Sequence, residues 1–313
     1  MKHVEQFLWT EKYRPQKVSE TILPSATKAI FQQFVDDKNV PNLLLFGGPG
    51  IGKTTVARAM LEELGCDILE INGSLHGNLD TLRTDILAFA STVSFTGGRK
   101  YVLLDEADYL TPHTQPALRN FMESFASNCG FILTCNFKNK IIEALQSRTS
   151  CIEFRLTAAE KVVMAAQMLG RLETILKAES IPFDKKVLVE LVKKYLPDWR
   201  RCINELQRYA ATGKIDTGIL ATINNTDIKD LLGAMKEKNF GAMRTWIAQN
   251  QTEDTATLFR RFYDMAVDVL DPKSVPMLIV TLADYQYKAA FVVDQEINLA
   301  ACLTEVMHSC TFK

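Results

Sequence analysis

The chain has 313 residues, of which 47% are hydrophobic and 23% charged, with a formal net charge of -1. That length suits two or three globular domains, and a charge so near neutral excludes a chain that attracts nucleic acid through its whole field. No run approaches the roughly 20 apolar residues of a membrane span, the polar opening leads into no signal core, and seven scattered cysteines form no Cys-x-x-Cys pair, so a cytoplasmic chain without membrane, disulfide framework or zinc is expected.

Strand-length apolar runs fall at 42–46, 68–71, 101–104, 131–134 and 151–154, with helical patterns near 53–65, 80–95, 113–127 and 138–146. Strands alternating with helices predict a parallel sheet covered on both faces. Within the second pattern, Leu82, Ile86, Phe89 and Val93 form an apolar helical stripe that leaves Arg83 outside it. After Phe154 the strand signal stops. Three helices are expected over 157–180, 184–196 and 198–212, and a further helical region over 227–310, with breaks near Asn239 and Asp271-Pro272. The chain therefore divides into domains at 1–155, 156–225 and 226–313. Residues 250–313 carry nine acids and five bases, so a phosphate-binding surface is expected in the earlier part, as a local patch.

The strongest motif is Gly47-Gly48-Pro49-Gly50-Ile51-Gly52-Lys53-Thr54, followed by Thr55. It matches G-x-x-x-x-G-K-[ST], after a predicted strand and at the start of a predicted helix, the setting a phosphate loop requires. Backbone N–H groups of such a loop and the positive end of the helix wrap phosphates. Lys53 is expected on the β- and γ-phosphates of ATP and the Thr54 hydroxyl on Mg²⁺. A second strand runs into Asp105-Glu106, delivering two carboxylates beside that loop. Asp105 suits Mg²⁺, and Glu106 can orient and polarise the attacking water. A third strand, Phe131-Ile132-Leu133-Thr134-Cys135-Asn136, ends on Asn136, which is expected near the γ-phosphate.

With these in place, a family resemblance becomes specific. Trp9-Thr10-Glu11-Lys12-Tyr13-Arg14-Pro15 resembles the W-x-E-K-Y-R-P opening of the AAA+ ATPase subunits of sliding-clamp loaders. Gln146-Ser147-Arg148 resembles their Ser-Arg-Cys motif, with Thr149 in place of the cysteine. Pro197-Asp198-Trp199-Arg200-Arg201-Cys202-Ile203-Asn204-Glu205-Leu206-Gln207 is similar to their G-D-M-R-R-x-L-N-x-L-Q helix, with Pro197 in place of the glycine. Asn120 to Cys129 and Gly213 to Leu220 resemble the large-subunit lineage of T-even-type phages.

The resemblance implies an α/β P-loop AAA+ domain, a small helical lid domain and a C-terminal all-α collar domain that holds a ring together. It implies Tyr13 near the adenine, Arg200 closing over the phosphates, and Arg148 reaching a neighbouring subunit's ATP. Arg83, Gln115 and Arg119 are placed by the resemblance between ATP and DNA. The implied partners are a sliding clamp, primer–template DNA and a smaller clamp-loader subunit, with four copies of this chain and one of the other. Another AAA+ DNA machine, such as a helicase loader or branch-migration motor, is the alternative, as is a subunit that binds ATP without turnover.

Overall fold

The structure, a computed structural model, describes residues 7–75, 79–94, 99–111, 114–211, 213–216, 228–249 and 255–313. The chain divides into two units, 1–220 and 221–313.

Alternation of apolar side chains decides the architecture of the first unit. A short helix, α1 (Trp9–Lys12), and α2 (Ser25–Asp36) precede the first strand. The described strands, β1 (Leu43–Gly47), β2 (Asp67–Asn72), β3 (Lys100–Asp105), β4 (Cys129–Cys135) and β5 (Ser150–Phe154), pair in parallel in the order β2-β3-β4-β1-β5. Successive side chains of a strand point to opposite faces. Leu44, Val102, Leu104, Phe131 and Leu133 therefore pack on one side with Leu82 and Ile86 of α4 (Leu79–Ala90) and Leu118 of α5 (Thr114–Ser124). Leu43, Leu45, Tyr101, Leu103 and Ile132 pack on the other with Phe31 of α2 and Val56, Ala57 and Met60 of α3 (Lys53–Glu63). Burial on both faces is why these strands read as unbroken apolar runs.

Two local expectations are corrected. Val93 is not part of the α4 stripe: the helix ends at Ala90 and Val93 is 84% exposed. The side chains of Ser91 and Thr92 bond back to the carbonyls of Leu87 and Phe89, and Asn128 Nδ2 donates to Ala90 O, so the last turn is satisfied without further helix. The helix expected over 138–146 is a 3₁₀ turn, Lys138–Lys140, and a single α-turn, α6 (Glu143–Gln146), separated by extended Ile141 and Ile142. Side chains replace the missing ladder there. Gln146 Nε2 donates to the carbonyls of Lys138 and Ile141, and Gln115 Oε1 accepts from Ile142 N–H.

The helical lobe of the first unit is set by its caps. Thr157 and Glu160 form a reciprocal capping box for α7 (Ala158–Ala178). Asp184 caps α8 (Lys185–Tyr195), and Asp198 caps α9 (Trp199–Ala210), each accepting a backbone N–H from the first turn. The 217–220 part of the phage-like signature, His113 and the boundary expected near 225 lie outside the described residues.

The described part of the second unit comprises α10 (Ile228–Lys236), α11 (Phe240–Gln249), α12 (Thr255–Val269), α13 (Val275–Ala289) and α14 (Gln295–Ser309). The expected breaks at Asn239 and Asp271-Pro272 are present, and Asp294 adds another by capping α14. Phe259, Phe262 and Ala266 of α12 and Leu270 just after it join Leu231, Met235 and Leu303 in one core, whereas Val269 is partly exposed. Phe262→Ala is expected to cost about 3–5 kcal/mol of this unit's stability, the usual cost of emptying a buried ring site. Hydrogen exchange should show lost protection in α12 and α14, and unaltered protection would remove Phe262 from the core.

Candidate functional site: a nucleotide cleft at the carboxyl edge of the sheet

The loop between β1 and α3 requires glycine at Gly47, Gly50 and Gly52, each with a positive φ that side chains rarely adopt, and the first two are also crowded. Gly47 lies so close to β5 that a Cβ would stand 2.5 Å from Phe154 O. Gly50 has φ +69°, the left-handed region that disfavours a side chain, and a Cβ there would meet Asp198 Oδ1 at 1.9 Å. Trp199 N–H donates to Gly50 O at 3.0 Å, so the first turn of α9 is bonded directly to the loop.

Lys53 opens α3 and is only 8% exposed. Its Nζ donates to Gly47 O at 2.9 Å, Gly48 O at 2.7 Å and Asn136 Oδ1 at 3.0 Å. Burial lowers the pKa of this ammonium from its ordinary value, and the positive charge of Arg200 adds to that, while Cys135, Asp105 and Asp108 oppose it. A cation surrounded mainly by neutral acceptors in a partly desolvated place is a receptor for an anion.

The carboxylates stand beside it. Thr54 Oγ1 donates to Asp105 Oδ1 at 2.6 Å, and Thr134 Oγ1 donates to the same oxygen. Glu106 follows in the left-handed region, φ 57° and ψ 43°, with its N–H donating to Thr134 Oγ1 at 3.3 Å. Asn136 N–H and Phe137 N–H both donate to buried Asp108 Oδ2 at 3.3 Å.

One cleft brings together Tyr13, the loop from Pro49 to Thr55, Asp105, Glu106, Asn136 and Arg200. Gly47 and Gly48 stand behind it, as acceptors for Lys53. Tyr13 is anchored at both ends: its OH donates to Glu179 Oε1 at 2.5 Å, and its carbonyl accepts from Arg171 Nη2 at 2.6 Å. Burial, followed by the bond to Glu179, raises the pKa of the phenol. Trp9 N–H donates to Gln207 Oε1 at 3.0 Å, which fastens the same N-terminal segment to α9.

Besides Gly47 and Gly48, four expected site residues lie outside the cleft. Arg148 is 37% exposed and pairs with Glu123, its Nε donating at 2.7 Å, while Nη1 donates to Ala144 O at 2.9 Å. Arg83 is exposed on α4. Arg119 is half-buried on α5, with Nη2 donating to Asn120 Oδ1 at 3.2 Å. Gln115, expected with Arg83 and Arg119 between ATP and DNA, is 3% exposed with both ends of its amide engaged. Its Nε2 donates to Lys140 O at 2.9 Å and its Oε1 accepts from Ile142 N–H at 2.8 Å, which ties α5 to the segment between Asn136 and α6.

Thr134, Asp108 and Arg171 were not singled out by sequence reasoning. Only their polarity at strand or helix positions hints at them, and each acts through a partner at least 28 residues away.

Comparison with known proteins agrees with this geometry. Residues 43–158 match the family model of ATPases associated with various cellular activities (AAA), and residues 160–221 match that of the lid domain of the sliding-clamp-loader large subunit, an AAA+ ATPase. The solved structure of a Thermotoga maritima RuvB variant shares the fold, with a TM-score of 0.56 at 16% identity over 74% of this chain and 85% of that one. The chain is thus a nucleotide-binding AAA+ ATPase.

It is 33% identical to the sliding-clamp-loader large subunit of Enterobacteria phage T4, covering 95% of this chain and 94% of that protein. It is 38% identical to the same subunit of Escherichia phage RB69 over 77% of each, and 33% identical to human replication factor C subunit 5 over 94% and 90%. The chain belongs to the sliding-clamp-loader ATPase family and acts in DNA replication.

The crowding at Gly50 yields a test. Gly50→Ala should strain the loop and expel Asp198 from its cap, lowering affinity for a fluorescent ATP analogue by about 10-fold, as a left-handed alanine costs ~1–2 kcal/mol. Adding Asp198→Ala should recover part of the loss. Unchanged affinity in Gly50→Ala would show that the approach of α9 to the loop does not bear on nucleotide binding.

Proposed function: ATP-driven loading of a sliding clamp

We propose that this chain is the ATP-hydrolysing subunit of a ring that opens a sliding clamp and places it on primer–template DNA. The observation that carries the reading is the division of the arginines: Arg200 lines the chain's own cleft, whereas Arg148 lies outside it. A site that needs Arg148 is completed only by a neighbour, so hydrolysis depends on assembly.

Lys53 holds the β- and γ-phosphates, Arg200 reaches them from the lid, and Tyr13 borders the base. Glu106 orients the attacking water and takes its proton as the water oxygen bonds to the γ-phosphorus and the bond to ADP breaks. Asn136 fixes the γ-phosphate or that water. Mg²⁺ fits the donor set, since Thr54 Oγ1 and Asp105 Oδ1 are hard oxygens that meet at 2.6 Å. Thr54 and Asp105 would hold the ion, with phosphate and water as its further ligands when ATP is bound. When bound, Mg²⁺ supplies neutralisation of phosphate charge.

Four copies of this chain assemble with one smaller clamp-loader subunit through the C-terminal helices, in the cytoplasm. Zinc and membrane have no part in the assembly. Arg83, exposed on α4, contacts DNA phosphate. Arg119 and Gln115 on α5 carry the report of DNA towards the ATP site.

Lys53→Ala should abolish tight ATP binding. Glu106→Gln should bind ATP normally and turn over about 10²-fold more slowly, the range for a lost acid–base group. Rings mixed from inactive Arg148→Ala and Glu106→Gln subunits should regain part of the activity, because each supplies what its neighbour lacks. No recovery on mixing would place Arg148 in its own chain's site.

For coupling, Arg119→Ala should lower DNA-stimulated ATPase more than basal ATPase, both read at saturating clamp. An equal fall in the two rates would make Arg119 structural only. Arg83→Ala should weaken DNA binding irrespective of base sequence, with a salt dependence smaller by about one counterion.

A further inference from the structure

The β3–β4 ladder ends at Leu104 opposite Leu133, one residue short of the carboxylates. The next residue of β4, Thr134, is 1% exposed, and its hydroxyl takes over where the backbone bonds stop. That hydroxyl has one proton and donates it to Asp105 Oδ1, while a lone pair accepts Glu106 N–H at 3.3 Å. Both neighbours are served at once, so the rotor has a single arrangement.

Glu106 needs such a hold. A non-glycine residue at φ 57° is in a sparsely populated region and stays there only when its surroundings over-determine it. Tyr109 N–H donates to Glu106 O at 3.0 Å from one side. Gly73 lies on the other, where a Cβ would stand 2.6 Å from Glu106 O. Thr134 is the contact at the amide end. Since φ and ψ of Glu106 aim its Cα–Cβ bond, whatever fixes the kink aims the carboxylate.

We infer that Thr134 is a positioning residue for hydrolysis, which through its hydroxyl holds the Glu106 backbone in the left-handed kink that points the carboxylate at the attacking water. The inference rests on the assignment of Glu106 as the group that polarises water. Thr134 is 1% exposed in the wall of the cleft, and its hydroxyl is taken up by Asp105 and the Glu106 amide. Its loss leaves ATP bound and the general base misdirected, and misplacement of a reacting group by about 1 Å costs on the order of 10²-fold.

The test uses the assembled complex with clamp and primer–template DNA at saturating ATP and Mg²⁺, with Thr134→Val, Thr134→Ser, Glu106→Gln and the Val/Gln double variant side by side. Thr134→Val, which keeps shape and removes the hydroxyl, should bind ATP within about 3-fold of wild type and lose roughly 10- to 100-fold in turnover. Thr134→Ser should recover most of that turnover. The double variant should be no more than about 2-fold slower than Glu106→Gln, because both act through one carboxylate. Wild-type turnover in Thr134→Val beside a slow Glu106→Gln overturns the proposal alone, as does an equal loss in Val and Ser variants. Multiplying losses in the double variant overturn it too, by showing that Thr134 acts elsewhere. Wild-type turnover in Glu106→Gln would instead overturn the assignment of Glu106, and this inference with it.

Discussion

Three strands stand next to one another as β3, β4 and β1, and a parallel sheet delivers the carboxyl ends of all three to one edge. The site follows from that adjacency. Because β4 lies beside β1, Asn136 stands within 3.0 Å of Lys53 Nζ. Because β4 also lies beside β3, Thr134 reaches Asp105 and the amide of Glu106. Thr54 then closes the circuit from α3 back to Asp105. The two Thr134 bonds cross strands, so a slip of one residue in register would turn Thr134 to the opposite face and break both together. The same double burial that enforces register desolvates Lys53, and the resulting cost to its charge is what makes an anionic phosphate favourable there.

The lid is joined to this edge at its own helix terminus. Asp198 serves α9 twice, by capping its first turn and by occupying the space that only a glycine at position 50 leaves open. With Trp199 N–H on Gly50 O, a movement of α9 pulls on the phosphate loop and a reshaped loop pulls on α9. Arg200 sits in that same turn. The place of Arg200 in the cleft and the conformation of the loop are therefore linked, and the anchored Tyr13 segment ties the N-terminus to the same lobe through Arg171, Glu179 and Gln207.

What the sequence made legible was local. Lys53, Thr54, Asp105, Glu106 and Asn136 each end or begin an element whose apolar run or glycine pattern is contiguous, so motif and setting are read together. The strand limits are right to within two residues for the same reason. The failures are all side chains that replace backbone bonds. Gln115 is placed between ATP and DNA by the resemblance alone, because helical periodicity cannot announce that an amide will satisfy Lys140 O and Ile142 N–H some 25 residues later. The helix expected over 138–146 failed at the same junction. Thr134 and Asp108 looked like ordinary members of a strand and an acidic turn, since the groups they hold are distant in sequence.

On the role proposed above for Arg148, the site is built to wait for a neighbour. An arginine reserved for another subunit's phosphate must be kept from collapsing onto its own chain, yet must be released without much cost. Glu123 and Ala144 O meet both needs. They direct the guanidinium from the junction of α5 and α6, but Glu123 is half exposed, and an ion pair so open to water contributes about 1 kcal/mol or less. On the proposed role, the carboxylate of Glu123 gives way to a neighbour's triphosphate, which carries more negative charge. The helix that holds Glu123 also carries Arg119, and through Gln115 it is fastened to the segment that begins at Asn136. A displacement of α5 therefore reaches Arg148 and the segment of Asn136 together, and on the proposed function this links the hydrolysis of one subunit to the posture of the next.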